Sequence, residues 1–547
     1  MAMADRSPVG TAMGDAGASR AEPVPGSTPR ALALFGPRER RGLVAGFRTG
    51  QAVAVAGGLL GAVVLLRLLP GTPGVVAGLA ACVAGAGLAA LPVGGRAPEE
   101  WLPVVTHFLV ARRPRAPWVV PPPASREVTA RGPRPPTSPR LVGGARREHA
   151  VPALAGCSLI RVAGSAGGAE LGAVHDARCG TLVGVLRLTS TALALASGPE
   201  RTERALRWGA LLGAIAAPGS GVHRVAWMER TQPVPLVPPA GAGAGAGAGA
   251  ATLEPPQEQV VPPGLTPASD PRSEPTRSSS VPPAASRSYA ELLSDAGDAW
   301  AHELFLAVAV RSGGPGTPVA RAENELTRVV RRVERELVSL GFGAGGPLDP
   351  YELGALIRSS SDAERACRVA PLVDGGFVWP WPLAAKLSWR SLRLEGTWHA
   401  TYWVAEWPRQ PVEMDFLTPL LALGGLRRTV VTVLEPVPAE RARREVEAAR
   451  TSAAADDELR RRGGFVMTAR HRRQAELLAR RESELVDGHA PYRCVAFVGV
   501  SADGPQALEE ACRAVEQAAA LAQLQLRRLW GQADEAFTWT LPLARGL

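Results

Sequence analysis

The chain has 547 residues, room for two to four domains, and is rich in small and kinked positions, with 60 Gly and 50 Pro. Charged residues make up 20% and aromatics 5%, so the apolar content is mostly Ala, Leu and Val. A formal charge of +10 is a small surplus for this length and disfavours a dedicated nucleic-acid binder, and six cysteines without CxxC spacing (Cys82, Cys157, Cys179, Cys367, Cys494, Cys512) disfavour a disulfide framework or zinc ribbon.

Residues 1–34 are polar and rich in Gly, Pro and Ser, and read as a disordered tail. Residues 35–95 read as a transmembrane hairpin with a basic flank. Thr49 to Leu66 and Leu68 to Gly95 carry no charge, Arg67 stands alone between them, and Pro70-Gly71-Thr72-Pro73-Gly74 supplies the turn. Arginines gather outside it: Arg38, Arg40, Arg41 and Arg48 before, Arg96, Arg112 and Arg113 after. Arginine on both outer flanks predicts a two-helix, multi-pass protein of the cell membrane, its N- and C-termini both cytoplasmic. Residues 96–113 read as an interfacial amphipathic helix, with Trp101, Val104, Val105, Phe108 and Leu109 on its greasy side. Packing of that side against the following domain is an equal alternative. A Pro-rich linker occupies 114–140.

A small α+β domain is expected over 141–232: strands at CSLIRVAG and GTLVGVLRLTS around a loop containing HDARCG, a helix at ERTERALRWGALLGAIA, and a strand at GVHRVAWMER. A Pro/Gly/Ala-rich linker follows at 233–286, either separating two domains or filling a long loop within one body.

Residues 287–547 read as a larger α+β domain. Its start is predicted to be largely helical, YAELLSDAGDAWAHELFLAVAV passing into a strand only at its end. ENELTRVVRRVERELVSLG is a helix with Leu326, Val330, Val333, Leu337 and Leu340 on one stripe. DPYELGALIRSSSD is a short helix, and RRTVVTVLEPVP and YRCVAFVGVSA are buried strands. Between those strands lie two charged helical arms. ALEEACRAVEQAAALAQLQLRRLWG closes the domain as a helix with Leu508, Cys512, Val515, Ala519, Ala522 and Leu526 along one side. The expected class is α+β, with an N-terminal two-helix transmembrane hairpin followed by cytoplasmic α+β domains carrying a protruding helical pair.

No phosphate-cradling loop, HExxH, GxSxG or kinase motif occurs, so no catalytic residue, cofactor or metal is expected. His302 in AHELF has only half a zincin motif, and His175 with Cys179 lacks further ligands nearby. The densest unusual feature is aromatic: Trp379, Trp381, Trp389, Trp398, Trp403 and Trp407 fall within GFVWPWPLAAKLSWRSLRLEGTWHATYWVAEWPRQP. Core filling and partner docking explain it equally well. Tyr402, Trp403, Glu406, Trp407 and Arg409 are the docking candidates, because charged groups flank apolar rings there. Trp101 and the arginines named above are the membrane-flanking candidates.

FGPRERRGLVAGFRTGQ, GRAPEEWLPV, YWVAEWPRQPVEMDFLTPLL, GFVMTARHRRQAELLARRESELVDGHAPYR and GQADEAFTWTLPLARGL resemble an integral membrane protein family found beside conjugation-type ATPases in actinobacteria. The layout resembles a PrgI-like membrane hairpin fused to the N-terminal domain of TraC-type conjugation proteins. The resemblance implies a membrane-anchored, non-catalytic scaffold of a type IV-like conjugative or secretion system. Its partners would be the lipid bilayer, a separately encoded TraC-like ATPase and other channel subunits, in a homo- or hetero-oligomer. ATP hydrolysis is not carried over, since the chain stops at Leu547, where the RecA-like domain would begin. An EccE-like structural component of a type VII secretion system is the alternative resemblance, and a membrane-tethered nucleic-acid-binding module is a further reading.

Overall fold

Phe305-Leu306-Ala307-Val308-Ala309-Val310 is buried at every position. Phe305, Ala307 and Ala309 join one apolar cluster, and Leu306, Val308 and Val310 join another. A strand with apolar side chains on both faces must be covered on both, and this requirement sets the architecture. The structure, a computed structural model, describes residues 32–33, 49–90, 98–111, 150–163, 170–189, 197–234, 299–313, 319–362, 373–374, 377–378, 380–413, 415–464 and 469–547. Two compact units are distinguished, one of Met1–Gln232 with His302–Leu547 and one of Pro233–Ala301.

The first unit is built on a 12-stranded sheet. Its strands are β1 (Cys157–Val162), β2 (Leu171–Asp176), β3 (Thr181–Thr189), β4 (Arg224–Val234), β5 (Ala299–Arg311), β6 (Gly343–Pro347), β7 (Ala385–Leu387), β8 (Leu392–Leu394), β9 (Thr397–Glu406), β10 (Arg427–Pro436), β11 (Tyr492–Ala502) and β12 (Gln525–Arg528). The order across it is β7-β8-β9-β11-β10-β4-β5-β3-β2-β1, with β12 beside β9 and β6 beside β3. The pairs are antiparallel, from Arg427↔Ser501 to Pro436↔Tyr492 between β10 and β11 and from Arg428↔Thr231 to Leu434↔Val225 between β10 and β4. Strands from 141–232 and from 287–547 therefore interleave in one sheet.

Three elements differ from the sequence expectation. β2 takes His175 and Asp176 out of the expected loop into a strand. β5 is a strand of 13 residues where a helix was expected over most of it. Its Ala, Glu and Leu favour a helix in isolation, but burial between β3 and β4 overrides that weak preference. The final long helix ends at Leu521, and the QLRR that follows is β12.

The N-terminal helices are α1 (Thr49–Leu68), α2 (Thr72–Ala90) and α3 (Pro98–Ala111). Small residues bring α1 and α2 together: a Cβ added at Gly58 would lie 3.0 Å from the Ala81 carbonyl oxygen. Among the described residues, no helix is long and apolar enough to cross a membrane. This overturns the transmembrane hairpin and, with it, the two-helix, multi-pass cell-membrane localisation. α1 has 20 residues with Arg67 in its last turn, and α2 has 19 residues, most of them Gly or Ala, so neither supplies an unbroken run of about 20 strongly apolar residues. Part of the greasy side of α3 meets the body: Trp101 stacks on Trp389 at 5.8 Å, Phe108 meets the same indole edge-on at 5.1 Å, and Val104 is buried, whereas Val105 and Leu109 are exposed. His107 Nε2 lies 3.0 Å from Asp534 Oδ1. Arg38, Arg40, Arg41, Arg48, Arg96, Arg112 and Arg113 lie outside the described residues, as do the 114–140 linker, most of the 1–34 tail and the body of the 233–286 linker.

Helices α4 (Gly198–Ala216) and α5 (Val319–Ser339) cover the Leu306 face, with Leu211, Ile215, Leu326, Val330, Val333 and Leu337 buried. α6 (Pro350–Ser361) covers the opposite face through Leu353, Leu356 and Ile357. A reciprocal cap starts it, Glu352 N–H donating to Asp349 Oδ1 (2.7 Å) and Asp349 N–H donating to Glu352 Oε2 (3.1 Å). Gly172 in β2 allows that cap to sit close, since a Cβ there would come within 2.5 Å of the Asp349 carbonyl oxygen. Beyond the short α7 (Thr418–Leu421), the arms are α8 (Ala439–Arg462) and α9 (Ala469–Val486), bridged by Arg450 and Glu482. α10 (Pro505–Leu521) lies over β9, β10 and β11 through Leu508, Cys512, Val515 and Ala519, and α11 (Ala533–Thr538) packs on the other face.

Candidate partner-docking surface

β9 carries most of the docking candidates, and its pleat divides them. Tyr402 points under α10: it is 1% exposed, and its hydroxyl donates to Glu516 Oε1 at 2.7 Å. Burial pushes its phenol well above the usual range. Trp403 lies on the opposite face against Phe497 and Trp539, with the Arg527 guanidinium 5.5 Å from its ring centre. Tyr402 thus anchors the strand from within, and Trp403 is half-buried beneath a cation.

Past Glu406 the chain leaves the sheet. Trp407 meets Phe416 edge-on at 6.3 Å, and exposed Arg409 pairs with Glu406. Arg473 of α9 donates to the Arg409 carbonyl at 3.1 Å, so one arm reaches this loop. Glu406, Trp407, Arg409 and Gln410 form one wall of an open hollow of about 400 Å³, and Gln523 and Gln525 form the other. Gln523 has φ +56, a left-handed position after a helix that more commonly holds Gly or Asn. The lining offers a guanidinium, a carboxylate, amide donors and acceptors and an indole. That set suits recognition of a polar peptide surface.

Sequence reading placed Glu406, Trp407 and Arg409 near each other, and the hollow brings these three together. Tyr402 and Trp403 stand behind it on opposite faces of β9. Trp101, expected at a membrane edge, lies instead on Trp389. Gln523 and Gln525 were missed, although the alternation in Gln523-Leu524-Gln525-Leu526 is a strand signal that a helical stripe through Leu526 obscured.

Other buried polar groups hold the sheet together. Arg428, almost wholly buried, donates to Glu229 Oε1 (3.0 Å), Thr231 Oγ1 (2.7 Å) and the Leu421 carbonyl (2.7 Å), tying β10 to β4. His302 Nδ1 lies 2.9 Å from Glu229 Oε1, so the AHELF histidine belongs to this network. At the far edge Arg545 donates to Asp176 Oδ2 (2.6 Å) and the Ala153 carbonyl (2.7 Å), and its Nη2 lies 3.0 Å from Cys157 Sγ. Burial alone would raise the Asp176 carboxyl, but the hydrogen bond and charge of Arg545 outweigh it and hold that group below its ordinary range. Among the described residues, no three His, Cys, Asp or Glu side chains come together to hold a metal ion.

Residues 302–404 match a family model. Its description reads "Putative type VII ESX secretion system translocon, EccE". The match begins in β5, passes through α5 and α6 and ends near the close of β9, two residues before Glu406. No curated protein matches the chain. The match points to type VII rather than type IV secretion, which corrects the type IV expectation. Nothing in the comparisons carries the likeness to PrgI-like or TraC-type proteins.

Proposed function

We propose that this chain is a structural, non-catalytic component of a type VII-like secretion apparatus that works in a complex with other subunits of that apparatus. The EccE-like match over β5 to β9 is the observation that carries this reading, since it covers the interior strand β5, the β7-β8-β9 end of the sheet and helices α5 and α6. The hollow beside Trp407 and Arg409 supports it, because an indole, a guanidinium and side-chain amides around a shallow opening form a protein-binding surface.

The test is deletion of the chromosomal gene in the source organism, with quantitative proteomics of the culture filtrate. The expected result is loss of a discrete set of exported proteins, restored by the wild-type chain and restored poorly by W407A/R409E. An unchanged filtrate would overturn the reading.

A further inference from the structure

The sheet ends in β7, a strand of three residues, and one row across it is unusual in charge. Lys386 on β7 stands directly opposite Arg393 on β8, and Arg393 stands opposite Trp398 on β9. Both cations are exposed. Like charges directly opposite each other destabilise a strand pair. Neither has a carboxylate within ion-pair distance among the described residues; Arg393 donates through Nε to the Glu395 carbonyl (3.1 Å), and its guanidinium lies 5.7 Å from the Trp398 ring centre. Arg390, in the turn between β7 and β8, adds a third exposed cation 5.7 Å from the ring centre of Trp530. The nearby carboxylate of Glu509 is already held by both Nη atoms of Arg528, each at 2.8 Å.

The backbone beside this row is open as well. Glu395 N–H donates to the Ala384 carbonyl, and Ser388 N–H donates to the Ser391 carbonyl. Alternation along an antiparallel pair then turns the N–H and C=O groups of Ala385 and Leu387 outward, where no described strand pairs with them. A lysine on an edge strand ordinarily deters pairing. Lys386 backed by Arg393 does so against neutral or basic strands and favours one that brings a carboxylate into the row.

We propose that the β7 edge is a docking surface for an acidic, extended segment of a partner protein. An Asp or Glu of that segment completes the row with Lys386 and Arg393, and Arg390 with Trp530 takes the next acidic position. Charge complementarity selects this occupant: among the described residues, three cations and two indoles stand together with no free carboxylate beside them, next to strand backbone that no described strand pairs. The partner's place in a secretion complex rests on the function proposed above; the surface and its binding chemistry do not.

The experiment measures fluorescence anisotropy of a fluorescein-labelled decapeptide of alternating Glu and Val, titrated with the full-length chain. Gln-Val and Lys-Val decapeptides and a labelled dT20 oligonucleotide run in parallel. Expected are saturable binding of the Glu-Val peptide that weakens as salt rises, at least tenfold weaker binding by K386E/R393E, and unchanged binding by R335E, a charge reversal on α5. K386Q/R393Q should weaken binding at least threefold, which keeps the test open should the double reversal fold poorly. K386E alone, which places opposite charges across the strands, should melt no lower than wild type. Equal binding of Gln-Val, indifference to the Lys386 and Arg393 variants, or preferred binding of dT20 would each overturn the proposal. Loss of peptide binding beside an intact secretion phenotype would remove this surface alone.

Discussion

Arg545 sets the energetics of the sheet's far edge. Its guanidinium is the cation facing the buried Asp176 carboxylate, whose other oxygen accepts from the N–H groups of Arg178 (3.0 Å) and Cys179 (3.1 Å). Arg545→Met leaves that carboxylate buried without its cation and should cost about 3–5 kcal/mol, measured by urea unfolding at neutral pH. The pH dependence has a definite sign. The Asp176 carboxyl is depressed in the folded chain, so its contribution is complete above the unfolded value of about 4 and fades as pH falls below it. His399 acts in the neighbouring window. Its Nε2 donates to the Ser361 carbonyl (3.0 Å), its Nδ1 lies 2.9 Å from Ser501 Oγ, and burial pushes its pKa down to about 4. Between pH 6.5 and about 4 the unfolded chain binds a proton that the folded chain refuses, so stability falls with acidification, by up to about 3 kcal/mol. His399→Gln should flatten that slope, read from urea midpoints across the same range. Neither group stood out in the sequence: His399 lies within a Trp-rich run, and Asp176 gains importance only when Arg545, far along the chain, folds back to it.

At the level of elements, legibility followed burial pattern. α5 was readable because its stripe repeats at spacings of four and three over about four turns, and Leu326, Val330, Val333 and Leu337 are all buried as expected. β10 and β11 were readable as continuous apolar runs. β2, β5 and β12 were not, for separate reasons: β2 is short and polar-tipped, β5 is written in helix-favouring residues, and β12 directly follows a helix whose stripe continues into it by coincidence. The docking candidates were half legible. Trp407 and Arg409 announce themselves by residue type, whereas Gln523 and Gln525 enter the same hollow only because β12 pairs with β9. The junction of α6 with β2 gives the sharpest test of packing between elements. Gly172→Ala should destabilise the protein by about 1–3 kcal/mol, because its methyl group would meet the rigid backbone at Asp349. A thermal melt checks this, and Ala at Gly209, in the exposed interior of α4 where a Cβ meets nothing within 4 Å, serves as the comparison that should instead gain up to about 1 kcal/mol.

Across the whole molecule the least legible property was sheet membership. Residues 141–232 look like a small domain because their strands and helix form a self-consistent run, and the sequence leaves open whether the linker after them separates two bodies or loops out of one; the pairing of β4 with both β5 and β10 is what puts their strands in a shared sheet. That shared seam has a practical outcome for anyone dividing the polypeptide. Pieces 1–240 and 290–547 should each be insoluble or unfolded when produced singly, since each would bare an unfinished edge flanked by Val and Ala meant for the other. Produced together from two messages, they should zip into a single assembly that co-elutes on size exclusion at the position of the uncut protein, and a split reporter fused at the two new ends would light up only then.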